Sequence, residues 1–155
     1  IKRCPQYGGV HFFEPTEITL GKAKSKLAQH PNIHYHPVGL FDAKQTLSFD
    51  AGAGSACKIS ETGSVKIEVD ALDNRVTESV SFIKLDLEGA EPKALEGMKW
   101  HIQEDHPKLA VAVYHDPAHF WQVPEIILGV RNDYNVYLRH YTEGWTETVM
   151  FFIPK

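Results

Sequence analysis

The stretch Phe82-Ile83-Lys84-Leu85-Asp86-Leu87-Glu88-Gly89-Ala90-Glu91-Pro92 carries a strand, a turn and a helix start in succession. The apolar pattern over residues 80–86 predicts a core strand, and Gly89 turns the chain. Pro92 suits the first turn of a helix, where its missing N–H would have no intrahelical partner. Ala94, Leu95, Met98 and Ile102 then share one helical face. Lys84 and Asp86 break the local rule for a buried sheet by lying on one face of an otherwise apolar strand, and such breaks tend to mark sites. The alternative is a solvated acidic turn in which Glu88 and Glu91 simply favour a helix N-terminus.

Working outward toward the C-terminus, residues 109–114 read as the most strongly buried strand. Asp116-Pro117 is a helix start, because the carboxylate can accept first-turn N–H groups, and Pro124 restarts or kinks that helix before Asn132. Residues 136–141 and 148–153 are two strand-like runs joined by the short turn 142–145. A parallel crossover needs a dozen or more residues, so the last strand is expected antiparallel to its predecessor.

Toward the N-terminus, residues 10–13 predict a strand buried on both faces. A helix over residues 15–29 presents Ile18, Leu20, Ala23 and Leu27, and a second strand over residues 33–35 is closed by the turn Pro37-Val38-Gly39. Between residues 46 and 73, two alternating runs flank the small-residue loop Ala51-Gly52-Ala53-Gly54-Ser55 and predict a two-stranded excursion. That loop is no phosphate loop, since no Lys-Ser/Thr follows and no helix opens there. The resulting fold class is α/β, mostly parallel, with a terminal antiparallel hairpin.

With 155 residues, 43% of them hydrophobic and 23% charged, the chain suits one globular domain rather than a disordered or fibrous class. Sixteen Lys+Arg against twenty Asp+Glu give a formal charge of -4, which lacks the basic excess of a nucleic-acid binder. No apolar run approaches the roughly 20 residues that cross a bilayer, so no membrane partner is expected. Cys4 and Cys57 form no disulfide framework, and a cytoplasmic setting is the expectation. The chain starts with Ile rather than Met and without a signal-like segment, so the natural start is expected further upstream.

In a doubly wound sheet, ligands sit over the carboxyl ends of the parallel strands. The candidates there are Glu14, Val38-Gly39, Asp86 with Glu88, His115, and Arg139-His140-Tyr141. Glu14 either accepts the hydroxyls of an adenosine ribose or interacts with the following helix dipole. His115 and His140 are each either a base or a structural histidine, since imidazole titrates near neutrality. Tyr114 and Tyr141 suit a mixed pocket, whereas Phe120, Trp121 and Trp145 read either as the lining of an apolar pocket or as core. His34 and His36 lack a third ligand at a zinc spacing. A loosely held divalent ion at Asp86, Glu88 and a histidine is an alternative reading, and no metal ligand is assigned.

Phe13-Glu14-Pro15, Pro37-Val38-Gly39-Leu40, the stretch 82–91, Tyr114-His115, and Tyr137-Leu138-Arg139-His140-Tyr141 before Glu147-Thr148-Val149 occur in an order that resembles the FkbM-type methyltransferases. The resemblance implies a class I, Rossmann-like three-layer sandwich with strand order 3-2-1-4-5-7-6 and S-adenosylmethionine as cofactor. It implies methylation of a hydroxyl on a sugar, polyketide or other small secondary metabolite, a small-molecule or glycan acceptor with oligomeric state open. Glu14 would hold the ribose hydroxyls, Val38 and Gly39 would lie by the adenine, and Asp86 would stand beside the methyl donor. Asp86, His115 and His140 are the catalytic candidates, and Glu88, Tyr114, Arg139 and Tyr141 the acceptor-binding ones. The family's first strand and glycine-rich loop are expected upstream of Ile1, which makes residues 1–155 a partial domain holding strands two to seven. Such a fragment is expected to bind cofactor poorly, to be inactive alone and to be marginally stable.

Two rivals differ in class. The acidic residue after an early strand also suits NAD and an oxidoreductase, although the terminal hairpin argues against it. A degenerate interaction module is the other, although polar clusters at strand ends are costly to keep without use.

Overall fold

The computed structural model describes residues 7–50, 58–59 and 65–155. The readings made for residues 1–6, the loop 51–55 and both cysteines lie outside these. The chain runs β1 (Val10–Phe13), α1 (Glu17–Leu27), β2 (Ile33–His36), β3 (Gly39–Leu40), β4 (Gln45–Asp50), β5 (Lys58–Ile59), β6 (Val65–Asp70) and α2 (Leu72–Arg75). It continues with β7 (Phe82–Leu85), α3 (Glu91–Glu96), α4 (Lys99–Glu104), β8 (Lys108–Ala112), α5 (His119–Val130), β9 (Tyr134–His140) and β10 (Thr148–Pro154).

The sheets are mixed rather than mostly parallel. β1 pairs with β2 in parallel, and β7-β8-β10-β9 form a second sheet in which only β7 and β8 run parallel. The terminal hairpin forms as expected, with His140 opposite Thr148 and Tyr134 opposite Pro154. The expected two-stranded excursion is a four-stranded sheet of order β3-β6-β4-β5. Its third partner comes from the expected turn at Gly39, because Gly39 and Leu40 pair in parallel with Val69 and Asp70. Such a pairing is invisible to local periodicity.

The core is built where the apolar patterns are densest. Leu109 and Val111 from β8, Val113 just after it, Ala94, Leu95, Met98 and Ile102 beside it, and Val123 and Ile127 from α5 have no exposed surface. The helix expected from Glu91 is two helices. Gly97 lies between them, at a place where a Cβ would run into the Phe41 carbonyl, and its own carbonyl accepts the Asp73 N–H at 3.1 Å. Pro124 lies inside α5 without ending it. Asp116 caps the approach to that helix as expected, its Oδ1 accepting the Ala118 N–H at 2.8 Å.

Three burial expectations need correction. β1 is half-buried throughout rather than enclosed on both faces. On α1 only Leu20 is buried and Ile18 is 75% exposed, because residues two apart on a helix do not share a face. On β7, Ile83 and Leu85 are buried while Phe82, Lys84 and the following Asp86 are exposed. The polar residues therefore lie on an open face and break no rule there. Among the described residues no helix is long and apolar enough to cross a membrane.

Candidate functional site

The turn from β7 into α3 is tied together by Glu91. Its carboxylate folds back so that Oε1 accepts the Leu87 N–H at 2.7 Å and Oε2 the Gly89 N–H at 3.1 Å. Glu88 and Gly89 both adopt positive φ, 53° and 103°. Glycine tolerates this conformation, whereas the glutamate carries strain of about 1 kcal/mol or more. The turn thus presents Asp86 and Glu88 at the end of β7.

β8 delivers the partner. His115 follows it by three residues, and its side chain is 6% exposed. Its Nδ1 lies 2.7 Å from Glu91 Oε1, and its Nε2 lies 3.5 Å from Glu88 Oε2 and 3.7 Å from Asp86 Oδ1. Among the described residues neither ring nitrogen has an aligned hydrogen bond, so charge is what holds the ring among the carboxylates. His119, on the first turn of α5, brings Nδ1 to 3.5 Å from the other Glu91 oxygen.

These contacts set the protonation states. Burial pushes His115 down, but the adjoining Glu91, with Glu88 and Asp86 beyond it, more than offsets this and raises its pKa above the ordinary histidine value. Burial pushes Glu91 up, but His115 and the Leu87 N–H hold it below the ordinary carboxylate value. Asp86 also accepts from Lys84 Nζ at 2.8 Å and from the Tyr114 hydroxyl at 3.2 Å. Burial and the nearby Asp86 charge push the Tyr114 phenol up.

Tyr114 is the wall between this cluster and a cavity of about 340 Å³. The cavity is lined by Val113 and Tyr114 after β8, Pro117 and Phe120 at the start of α5, and His140, Gly144, Trp145 and Thr148 of the terminal hairpin. His140 is held there by a 2.8 Å hydrogen bond between its Nδ1 and the Thr148 hydroxyl. The arrangement offers an apolar recess with one imidazole, adjoining an acidic cluster with a second.

The structure therefore brings Asp86, Glu88, Tyr114 and His115 together, with His140 across Tyr114. Arg139 points elsewhere, its Nη1 bonded to the Leu138 carbonyl and its guanidinium 5.9 Å from the Tyr137 ring. Alternation along β9 sends it away from His140. Tyr141 is 62% exposed, and neither it nor Arg139 lines the cavity. Of the three aromatics read as either pocket or core, Phe120 and Trp145 line the cavity, and Trp121 is 60% exposed.

Glu14 ends β1 with Oε1 accepting both the N–H and the hydroxyl of Thr16, at 2.8 and 2.6 Å. Among the described residues no donor reaches its Oε2. Val38 is buried, and a Cβ at Gly39 would lie 3.7 Å from the Pro15 ring and 3.1 Å from Val69 Cγ1. The Glu14-Pro15 and Val38-Gly39 corners are thus neighbours at the carboxyl ends of β1 and β2. His34 and His36 belong to a separate group on the β1–β2 ribbon, where His11 Nδ1 lies 3.0 Å from His36 Nε2.

Sequence reasoning missed Glu91 and His119 as members of the cluster. The i, i+4 spacing of His115 and His119 was an available signal, but the burial of Glu91 was not, since it depends on residues 24 and 28 positions away.

Residues 1–143 match the family model described as Methyltransferase FkbM domain. Among solved structures, the chain is similar to the methyltransferase FkbM from Methylobacillus flagellatus KT, with a TM-score of 0.76 and 27% sequence identity. The match covers 94% of this chain and 36% of that one, so the chain spans little more than a third of its structural relative. No curated protein sequence matches the chain.

Proposed function

Because the chain belongs to the FkbM methyltransferase family, we propose that it takes part in S-adenosylmethionine-dependent O-methylation of a hydroxyl on a sugar or other small secondary metabolite. The observation that carries this reading is the cavity of about 340 Å³ at the strand ends, with His140 on one wall and the Asp86–His115 cluster beyond Tyr114. When bound, the cofactor supplies an electrophilic methyl group on sulfur.

The residues fit their parts. Glu14 would hold the ribose hydroxyls through Oε2, because Oε1 is committed to Thr16. The adjoining Val38-Gly39 corner would carry the adenine. Phe120, Pro117 and Trp145 would enclose the acceptor and keep water from it. A hydroxyl oxygen must lose its proton on methylation, and His140 is suited to take it. Its Nδ1 is anchored by Thr148, which leaves Nε2 for the acceptor at hydrogen-bonding reach. His115 is the weaker base candidate, because the surrounding carboxylates favour its protonated form.

We place this chain in a class I, Rossmann-like fold. The orders β2-β1 and β7-β8-β10-β9 are what the order 3-2-1-4-5-7-6 leaves when its first strand is taken out. Among the described residues β1 and β7 each pair on one side only, and one parallel strand between them would satisfy both edges. On this reading residues 1–155 are part of a methyltransferase domain and do not turn over alone.

Calorimetric titration of S-adenosylhomocysteine and of NADH into a longer form of the protein tests the reading. Binding of S-adenosylhomocysteine without NADH is expected, together with much weaker binding to residues 1–155. Binding of NADH alone would favour an oxidoreductase, and binding of neither a non-catalytic module.

A further inference from the structure

We propose that Asp86, Glu88 and His115 form a binding site for a divalent first-row transition-metal cation, with the buried Glu91 orienting the histidine. This inference concerns binding and stands apart from methyl transfer, although it places the cation beside the proposed acceptor cavity.

The first observation is the cluster itself. Asp86, Glu91 and His115 bring potential ligand atoms within 4.8 Å of one another, and Glu88 joins them only through its Oε2, 3.5 Å from His115 Nε2. The second is independent of acidity. His115 is a buried imidazole, its side chain 6% exposed, whose Nε2 has no hydrogen-bond partner among the described residues and faces two carboxylate oxygens. A buried imidazole nitrogen without a partner is costly unless something binds it.

The spacing decides between a hydrogen-bonded imidazole and a ligand. Nε2 stands 3.5 Å from Glu88 Oε2 and 3.7 Å from Asp86 Oδ1, beyond hydrogen-bonding range for both. Metal–nitrogen and metal–oxygen bonds of about 2.1 Å set neighbouring tetrahedral ligands about 3.4 Å apart, so each carboxylate oxygen stands from Nε2 at about the spacing of two ligands on one ion.

Glu91 supplies what a metal-binding histidine requires behind it. Its carboxylate lies 2.7 Å from Nδ1 and is itself fixed by the Leu87 and Gly89 N–H groups. A carboxylate at Nδ1 favours the proton there and leaves the Nε2 lone pair for the cation. Lys84 and Tyr114 steady Asp86 in the same way.

The donor set of one imidazole and two carboxylates selects the class of ion. Magnesium and calcium prefer all-oxygen shells, and among the described residues the cluster offers no sulfur to a thiolate-seeking ion. Manganese, iron or zinc in the divalent state suits mixed nitrogen and oxygen ligands. With three protein ligands, further positions on the ion stay open to water or to a small chelating ligand that offers two neighbouring oxygens.

Manganese(II) alone, titrated into the metal-free protein and followed by electron paramagnetic resonance of the free ion, tests the proposal. One site per chain is expected, with zinc(II) competing and magnesium(II) competing weakly. Asp86→Asn and His115→Asn should each weaken binding at least tenfold, and Glu91→Gln about 10- to 100-fold. Glu88→Gln changes a partly exposed residue, so it keeps a readable variant if the buried changes impair folding, and it too should weaken binding. No saturable manganese or zinc binding up to millimolar metal, or binding unchanged in Glu88→Gln and Asp86→Asn, would overturn the site. Metal binding without S-adenosylhomocysteine binding would sink the transferase reading and leave the site standing, and the reverse result would do the opposite.

Discussion

Glu91 Oε1 lies 2.7 Å from His115 Nδ1, so the first residue of α3 and the segment after β8 are joined by a buried carboxylate–imidazole contact. Glu91 has no exposed surface, and two backbone N–H groups also point at its carboxylate. The contact therefore fixes two strand ends relative to each other as well as orienting the histidine.

The pH dependence of this pair follows from its shifts. His115 is raised above 6.5, so its contribution to stability is complete below that value and is lost as pH rises through its folded value. Glu91 is depressed below 4.5, so its contribution is present above that value and is lost as pH falls through its folded value. Stability from the pair is thus greatest between these two ordinary values. In metal-free protein, Glu91→Gln should cost about 3 kcal/mol near pH 6 and move the His115 titration downward. Urea unfolding across pH and the imidazole proton resonances measure the two effects, and an unmoved His115 titration would show that Glu91 does not govern it.

A second buried carboxylate has a structural task. Asp70 accepts from the Ala71 N–H and Asn74 Nδ2 through Oδ1, both at 2.9 Å, and from Arg75 Nε through Oδ2 at 2.6 Å. Burial raises its pKa, but these bonds more than offset that and hold it below 3.8. Its stabilisation is therefore present above 3.8 and lost as pH falls through the folded value. Asp70→Asn should destabilise by about 1–3 kcal/mol at neutral pH and by progressively less below pH 3.8. A difference from wild type that stays constant down to pH 2 would contradict this.

Gly97 gives a prediction about packing alone. Alanine there would place its Cβ against the Phe41 backbone carbonyl, which cannot swing aside as a side-chain tip could. The usual gain from replacing a glycine near a helix should reverse. Gly97→Ala should destabilise by about 2 kcal/mol or more, whereas Gly129→Ala, with open space around it in α5, should stabilise by up to about 1 kcal/mol. Thermal melts of both variants give the comparison.

What was legible in the sequence followed the range of the interaction involved. β7, β8 and the terminal hairpin could be read because their apolar patterns and turn length are local, and Asp116 could be read as a cap because its partner is two residues away. The close approach of Gly97 to the Phe41 carbonyl was hidden, and so was the β3–β6 pairing of Gly39 with Val69, because these partners meet only in three dimensions. At the site, Asp86, Glu88, Tyr114 and His115 were legible as polar residues at strand ends. Arg139 read as an acceptor-binding residue beside His140, but neighbours on a strand face opposite ways. Glu91 read as a helix-start acid, while its role comes from His115, 24 residues on.

The two histidines that flank Tyr114 should separate in their effects on the full-length enzyme. His140 lines the cavity and is anchored by Thr148, so His140→Asn should lower kcat by about 10²- to 10⁴-fold while S-adenosylhomocysteine affinity and fold are kept. Trp145→Ala should mainly raise the acceptor KM, because Trp145 forms a wall of the cavity while 72% exposed, and its loss leaves the core intact. Tyr114→Phe keeps the wall between cavity and cluster but removes the hydroxyl from Asp86, so it should leave acceptor KM within a few-fold and loosen the cluster instead. If His140→Asn left kcat unchanged while His115→Asn abolished it without loss of metal, the base would be His115 and the proton would leave on the other side of Tyr114. Steady-state kinetics of the four variants, with cofactor affinity measured separately, decide between the two sides.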